Sequence, residues 1–166
     1  FVFNLASLNQ ETSQRSFEHV KTAMQWSLEL ERPVYSFHGG FLLDPKISEL
    51  GGQISNIKLF DRKQAFSAFL EQVNNLAEKA RQQGVSLLIE NNVLSANNYR
   101  DFGSNPFLMV TAEECVHVMK NTPKNVNLLI DVAHLKVSAC SLQFDPMEFL
   151  LKCDPWVRAY HLSDND

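Results

Sequence analysis

The chain has 166 residues and a mass of 18.9 kDa, enough for one domain with a real core and too short for two ordinary ones. Hydrophobic residues make up 45%, with 12 Phe and 2 Trp, which excludes disorder as the main state. No apolar run approaches the ~20 residues of a membrane helix, and the formal charge of −4 lacks the cationic excess of a general nucleic-acid binder.

The opening Phe1-Val2-Phe3-Asn4-Leu5 reads as the tail of a strand. Residues 13–32 read as a helix with Phe17, Val20, Met24 and Leu28 on one face and Pro33 as its stop, followed by a strand over 34–37. Residues 61–83 give the clearest helix. Asp61 and Gln64 fit a capping box, Phe66, Phe69, Leu70, Val73, Leu76, Ala77 and Ala80 form an apolar stripe, and Gly84 suits a left-handed end. Residues 85–89 form a strand with almost no polar side chain, as expected for one buried on both faces. A Thr111/Glu114 box opens a helix over 111–120, and 126–130 is a second buried strand. Asp145, Pro146 and Glu148 begin a helix running through 152, and 157–160 is the last strand. Five strands thus alternate with four helices, an α/β pattern of parallel strands joined by right-handed crossovers. Cys115, Cys140 and Cys153 are odd in number and contain no C-x-x-C pair, so they read as reduced thiols. With no leader-like N-terminus, a cytoplasmic location is expected.

Helix-to-strand connections are short, whereas the strand-to-helix loops 39–60 and 91–110 are long. In α/β folds such loops cover a ligand at the carboxyl ends of the strands. The first polar residue at the end of successive strands is His38, Glu90, Asp131 and His161. Each alone is unremarkable at a strand end. Together, on neighbouring parallel strands, they converge on one rim. Carboxylate and imidazole donors without thiolate suit a divalent cation such as zinc, manganese, cobalt or iron, and exclude a structural zinc knot. His134 follows Asp131 in a D-x-x-H pattern, and Asn91 and Asn92, directly after Glu90, are expected to contact substrate. His19 and His117 lie in helices and read as structural. Glu113 and Glu114 read as helix-start acids favoured by the dipole.

The segments Ser36-Phe37-His38-Gly39-Gly40, Leu88-Ile89-Glu90-Asn91, Ile130-Asp131-Val132-Ala133-His134 and Tyr160-His161-Leu162-Ser163-Asp164-Asn165 resemble the xylose-isomerase-like TIM-barrel superfamily. That group holds sugar and sugar-phosphate isomerases and epimerases and the class-two apurinic endonucleases. Asn4-Leu5-Ala6-Ser7 is similar to the stretch that follows an early strand there. The resemblance runs over nearly the whole chain, in the family's order. It implies a (β/α)8 TIM barrel represented by about five of eight strand-helix units. Residues 1–166 would be one domain, incomplete at both ends and without the Glu that normally completes the metal site. It implies Glu90, Asp131 and His161 as ligands of a divalent metal (manganese, zinc, cobalt or magnesium). His134 would contact substrate or a second metal, and His38 matches a metal ligand of the endonucleases.

The expected function is a metal-dependent isomerase or epimerase of a sugar, phosphorylated or not, working through a metal-stabilised ene-diolate. Glu90 would ligate metal and move a proton on one face, and His134 would hold a substrate oxygen. Phe41, Phe60, Tyr99, Phe102 and Phe107 could wall the sugar face or merely pack the loops. An apurinic endonuclease is the alternative, supported by His38 and the Asp131/His134 pair and opposed by the charge and the lack of a basic cluster in the long loops. A non-catalytic barrel scaffold is a third reading. The expected partner is a small sugar or polyol. Open sheet edges suggest a homo-oligomer.

Overall fold

The computed structural model describes residues 2–49 and 58–163. Helix α1 (Gln10–Glu29) starts earlier than its apolar period suggests, because the Asn9 side chain accepts the Thr12 N–H and caps it. It also ends earlier, as Glu31 turns into the left-handed region (φ 56°) ahead of Pro33. Strand β1 (Val34–His38) follows, then α2 (Arg62–Gln83), capped by Asp61 and closed by Gly84 at φ 73° as expected. Next come β2 (Ser86–Glu90), α3 (Ala96–Phe102), α4 (Ala112–Lys120), β3 (Val126–Asp131), α5 (Val132–Leu142), α6 (Pro146–Cys153) and β4 (Val157–His161). The strands make one parallel sheet in the order β1-β2-β3-β4.

Two expectations change. The sheet has four strands among the described residues and not five, since residues 2–5 form none. Here Asn4 sends its backbone N–H to Ser16 Oγ, and its carboxamide to the Phe41 and Leu43 carbonyls and Asp44 Oδ1. Those bonds tie the segment to α1 and to the loop after β1; Phe1 lies outside the described residues. The described residues also hold six α-helices and not four. Ser95 caps α3 and Gly103 (φ 64°) ends it inside what read as loop, while Asp131 caps α5 with its own carboxylate.

Side chains alternate along each strand, so the register sorts the residues onto two faces. Phe37, Leu87, Ile89, Val126, Leu128 and Ile130 join the core with Val20 and Met24 of α1 and Phe69, Val73 and Leu76 of α2. Burying each large apolar side chain contributes about 1.5–3 kcal/mol. The opposite parity carries His38, Glu90 and Asp131. His38 pairs with Glu90 across β1–β2, and Glu90 pairs with Leu129, two residues short of Asp131. Because the offset is even, Asp131 points to the same face as Glu90.

On β4 the parity is corrected by a register shift. Leu128 pairs with Val157 but Leu129 pairs with Ala159, which leaves Arg158 as an extra residue. Had the pairing run on in step from Leu128–Val157, Tyr160 would stand opposite Asp131; because Arg158 is passed over, His161 does.

Cys115 and Cys153 are buried and Cys140 is exposed, and all three are free. The adjoining Cys153 thiol, together with burial, holds the Cys115 thiol well above its ordinary pKa. Among the described residues no helix is long and apolar enough to cross a membrane.

Candidate metal centre

His38, Glu90, Asp131 and His161 are the last residues of β1, β2, β3 and β4. Parallel pairing brings them to one end of the sheet, and two clusters result. Donor atoms of Glu90, Asp131 and His161 all lie within 4.8 Å of one another, as do those of His38, Glu90 and His134. Glu90 belongs to both. Its Oε1 stands 3.3 Å from His161 Nδ1, 3.5 Å from His134 Nδ1 and 3.6 Å from His38 Nε2. The residue is only 5% exposed. A buried carboxylate needs compensating charge or donors, and here three imidazoles surround one oxygen.

Asp131 divides its two oxygens. Oδ1 accepts the His134 N–H at 2.8 Å and caps α5, while Oδ2 lies 3.7 Å from His161 Nδ1. The helix start therefore fixes the carboxylate's orientation and leaves one oxygen for the cluster. His134 Nδ1 is 3.0 Å from the Asn91 carbonyl. A carbonyl only accepts, so Nδ1 carries the proton and the lone pair of the neutral ring sits on Nε2. Desolvation pushes the pKa of His38 below its ordinary value, although half of the side chain is exposed; Glu90 pulls it the other way.

The carboxamides of Asn91 and Asn92, expected at the substrate, both bond backbone groups. Both are buried. Asn91 Oδ1 accepts the Asp131 N–H at 2.8 Å and its Nδ2 donates to the Asp131 carbonyl at 3.2 Å. The β2–β3 ladder ends at Glu90–Leu129, so this carboxamide stands in for the next peptide and positions Asp131. Asn92 Nδ2 donates to the Gly40 and Leu108 carbonyls. The aromatic residues of the loops divide as well. Phe107 is buried in a small cluster with Leu94 and Val110, with Phe41 against it, and Phe60 packs on the main core. Tyr99 is exposed. His19 and His117 stay outside both clusters, each edge-on to a phenylalanine. The part of the 39–60 loop over residues 50–57, and Asp164 and Asn165 of the last motif, lie outside the described residues.

Parallel strands with outer helices and a carboxylate–imidazole cluster at the strands' carboxyl ends define the wall and mouth of a (β/α) barrel. The chain belongs to the xylose isomerase-like TIM barrel family, whose model matches residues 1–166. No curated protein matches it by sequence.

Among solved structures it is similar to a D-tagatose 3-epimerase-like protein, with 21% identity, a TM-score of 0.72, and 99% of this chain covering 53% of that one. A D-psicose 3-epimerase from Clostridium cellulolyticum H10 matches at 17% identity and a TM-score of 0.68, over 95% of this chain and 47% of that one. An AP endonuclease of family 2 from Brucella melitensis matches at 18% identity and 0.64, over 95% and 51%. The chain thus spans about half the length of these structures, and at such identities the likeness defines the fold.

Proposed function

We propose that this chain carries the cation and proton-transfer site of a sugar isomerase or epimerase. The reading rests on one observation above the others: the buried Glu90 carboxylate shares a cluster with Asp131 and His161 while His134 stands beside it. The epimerase neighbours add support from the fold. Two carboxylates and an imidazole, with no thiolate, fit a divalent cation such as manganese, cobalt, zinc or magnesium. Glu90, Asp131 and His161 would hold it, and when bound it would polarise a substrate carbonyl.

The chain's own groups do the rest. The Glu90 carboxylate takes the proton from the carbon beside the carbonyl and becomes a carboxylic acid. Returning that proton to the former carbonyl carbon, while the hydroxyl proton passes from the first substrate oxygen to the second, gives the isomer. Epimerisation needs a second acid on the other face. His134, with its proton fixed on Nδ1, presents Nε2 as acceptor for a substrate hydroxyl. His38 is held toward its neutral form and can hydrogen-bond a further oxygen.

The test is solvent-deuterium incorporation into ketoses by the full protein with added manganese, cobalt or magnesium. Glu90→Gln is expected to lower incorporation by about 10²–10⁴-fold. Undiminished exchange in that variant removes Glu90 from the reaction. A second reading, phosphodiester hydrolysis at abasic DNA, is favoured by the His38, Glu90 and His134 group, which could hold another cation. Cleavage of an abasic oligonucleotide, with no ketose exchange, would replace the first reading by this one.

A further inference from the structure

The loop after β1 and the loop after β2 are joined into a short antiparallel ribbon beside the site. Phe41 and Phe107 form its bridge. Leu42 N–H donates to the Pro106 carbonyl and Leu108 N–H to the Gly40 carbonyl, both at 2.8 Å. These bonds use the inward backbone groups of the 106–108 strand. Its outward groups, two residues apart, belong to Asn105, Phe107 and Met109, and a lone ribbon would leave them to solvent. Here Arg62, the first residue of α2, donates from Nη1 to the Asn105 carbonyl and from Nη2 to the Phe107 carbonyl, each at 2.9 Å. Glu114 of α4 accepts the Met109 N–H on Oε2 at 3.0 Å. The two side chains are locked together, with Arg62 Nε and Nη2 at 3.0 and 2.6 Å from Glu114 Oε1.

From this pattern we infer that the Arg62–Glu114 pair acts as a side-chain edge strand that positions the ribbon, and through it the His38–Glu90 rim. Two independent features tie ribbon to rim. Gly39, next to His38, donates its N–H to the Glu90 carbonyl at 3.0 Å, and Asn92, two residues after Glu90, donates its N–H to the Met109 carbonyl. Met109 itself is held at φ 62°, a conformation an unbranched L residue keeps only when its surroundings enforce it. Its side chain lies so close to Gly39 that a Cβ there would come within 2.7 Å. Relaxation of Met109 must therefore move Gly39, and His38 is the next residue. Arg62 and Glu114 are positioning residues. A single lysine ammonium cannot reproduce the fork that serves two carbonyls and a carboxylate at once.

The consequence for substrate rests on the sugar reading above, whereas the positioning does not, so the experiment has separate arms. Amide hydrogen exchange is read in the full protein for Arg62→Ala, Arg62→Lys and Glu114→Gln, with Arg81→Ala as a control for an exposed ion pair. Exchange at Leu42, Leu108 and Met109 should quicken by about tenfold or more in Arg62→Ala, less in Arg62→Lys, chiefly at Met109 in Glu114→Gln, and not in Arg81→Ala. The His38 ring resonances should shift in the Arg62 and Glu114 variants alone. Should Arg62→Ala fail to fold, Arg62→Lys carries the same test. Ribbon exchange within about twofold of the parent would overturn the clamp, since that is what an ordinary solvated ion pair predicts. A loosened ribbon with unmoved His38 signals would overturn its link to the rim. On a ketose substrate KM should rise several-fold with kcat nearly unchanged. If the parent turns over no ketose, the sugar reading fails while exchange and resonances still decide the clamp.

Discussion

Ile89 and Glu90 are neighbours on β2 and live in different chemical worlds. Ile89 points toward the helices, fully buried in the main core, where its neighbours are other hydrocarbons. Glu90 points the other way, almost as deeply buried, among three imidazoles. The helix-facing layer of the sheet therefore holds the fold together by burial alone, while the rim concentrates charge that the fold must accommodate. Removing the Glu90 charge should cost function and not stability, and removing Ile89 volume the reverse.

The sharpest way to break this contrast is at the Arg158 register shift, since it decides which face of β4 reaches the rim. Inserting one alanine between Ala159 and Tyr160 is expected to put Tyr160 opposite Asp131 and to weaken divalent-cation binding by about 100-fold or more, read by calorimetric titration. Adding Tyr160→His to the insertion should restore binding. Full affinity in the insertion alone would show that β4 reaches the rim whatever its register.

Next comes Ile89→Ala. A cavity in the main core should lower stability by about 2–5 kcal/mol in urea unfolding, with cation affinity unchanged at temperatures where the protein stays folded. Loss of affinity in step with stability would erase the distinction between the two faces.

Asn91→Ala probes how rim and scaffold are joined. It removes both bonds to the Asp131 backbone. A fall in cation affinity of about 10–100-fold is expected, larger than the effect of any exposed polar substitution.

The smallest effect belongs to Lys152→Ala. Lys152 pairs with Glu113 and Glu148 on the surface. It holds the Glu113 carboxyl below its ordinary value near 4.5. Any stability gained is present above that value and is lost as pH falls through the lowered one. The variant should shift Tm by no more than about 2 °C at neutral pH and by less in acid, checked by thermal melts at both.

Much of the architecture was legible in local chemistry. Asp61, Gly84, Thr111, Asp145 and Pro146 act at the helix ends where their residue types suit them. The four strand-ending residues were legible for the same reason, because a polar side chain after an apolar run marks where the strand leaves the core. What escaped was chemistry with two meanings. Asp131 reads as a site carboxylate, and that hid its second role as the cap of α5. Ser95 and Gly103 carried a short-helix signal inside a segment whose length suggested loop. Asn91 and Asn92 follow a site residue and read as substrate contacts, a position that gave no sign that the Asn91 carboxamide extends the β2–β3 ladder or that the Asn92 carboxamide serves the Gly40 and Leu108 carbonyls. Glu114 fits a capping box, and its carboxylate instead serves the Met109 N–H, five residues back, and Arg62, 52 residues away in sequence.

By itself the sequence determined the alternation of elements, the parallel α/β class and the identity of the residues at the strand ends, because periodicity and capping act over a few residues. Only the tertiary structure decided which donors share a cation-sized space. That depends on an even offset between β2 and β3 and one extra residue in β4, and such register is set by packing between strands distant in the chain.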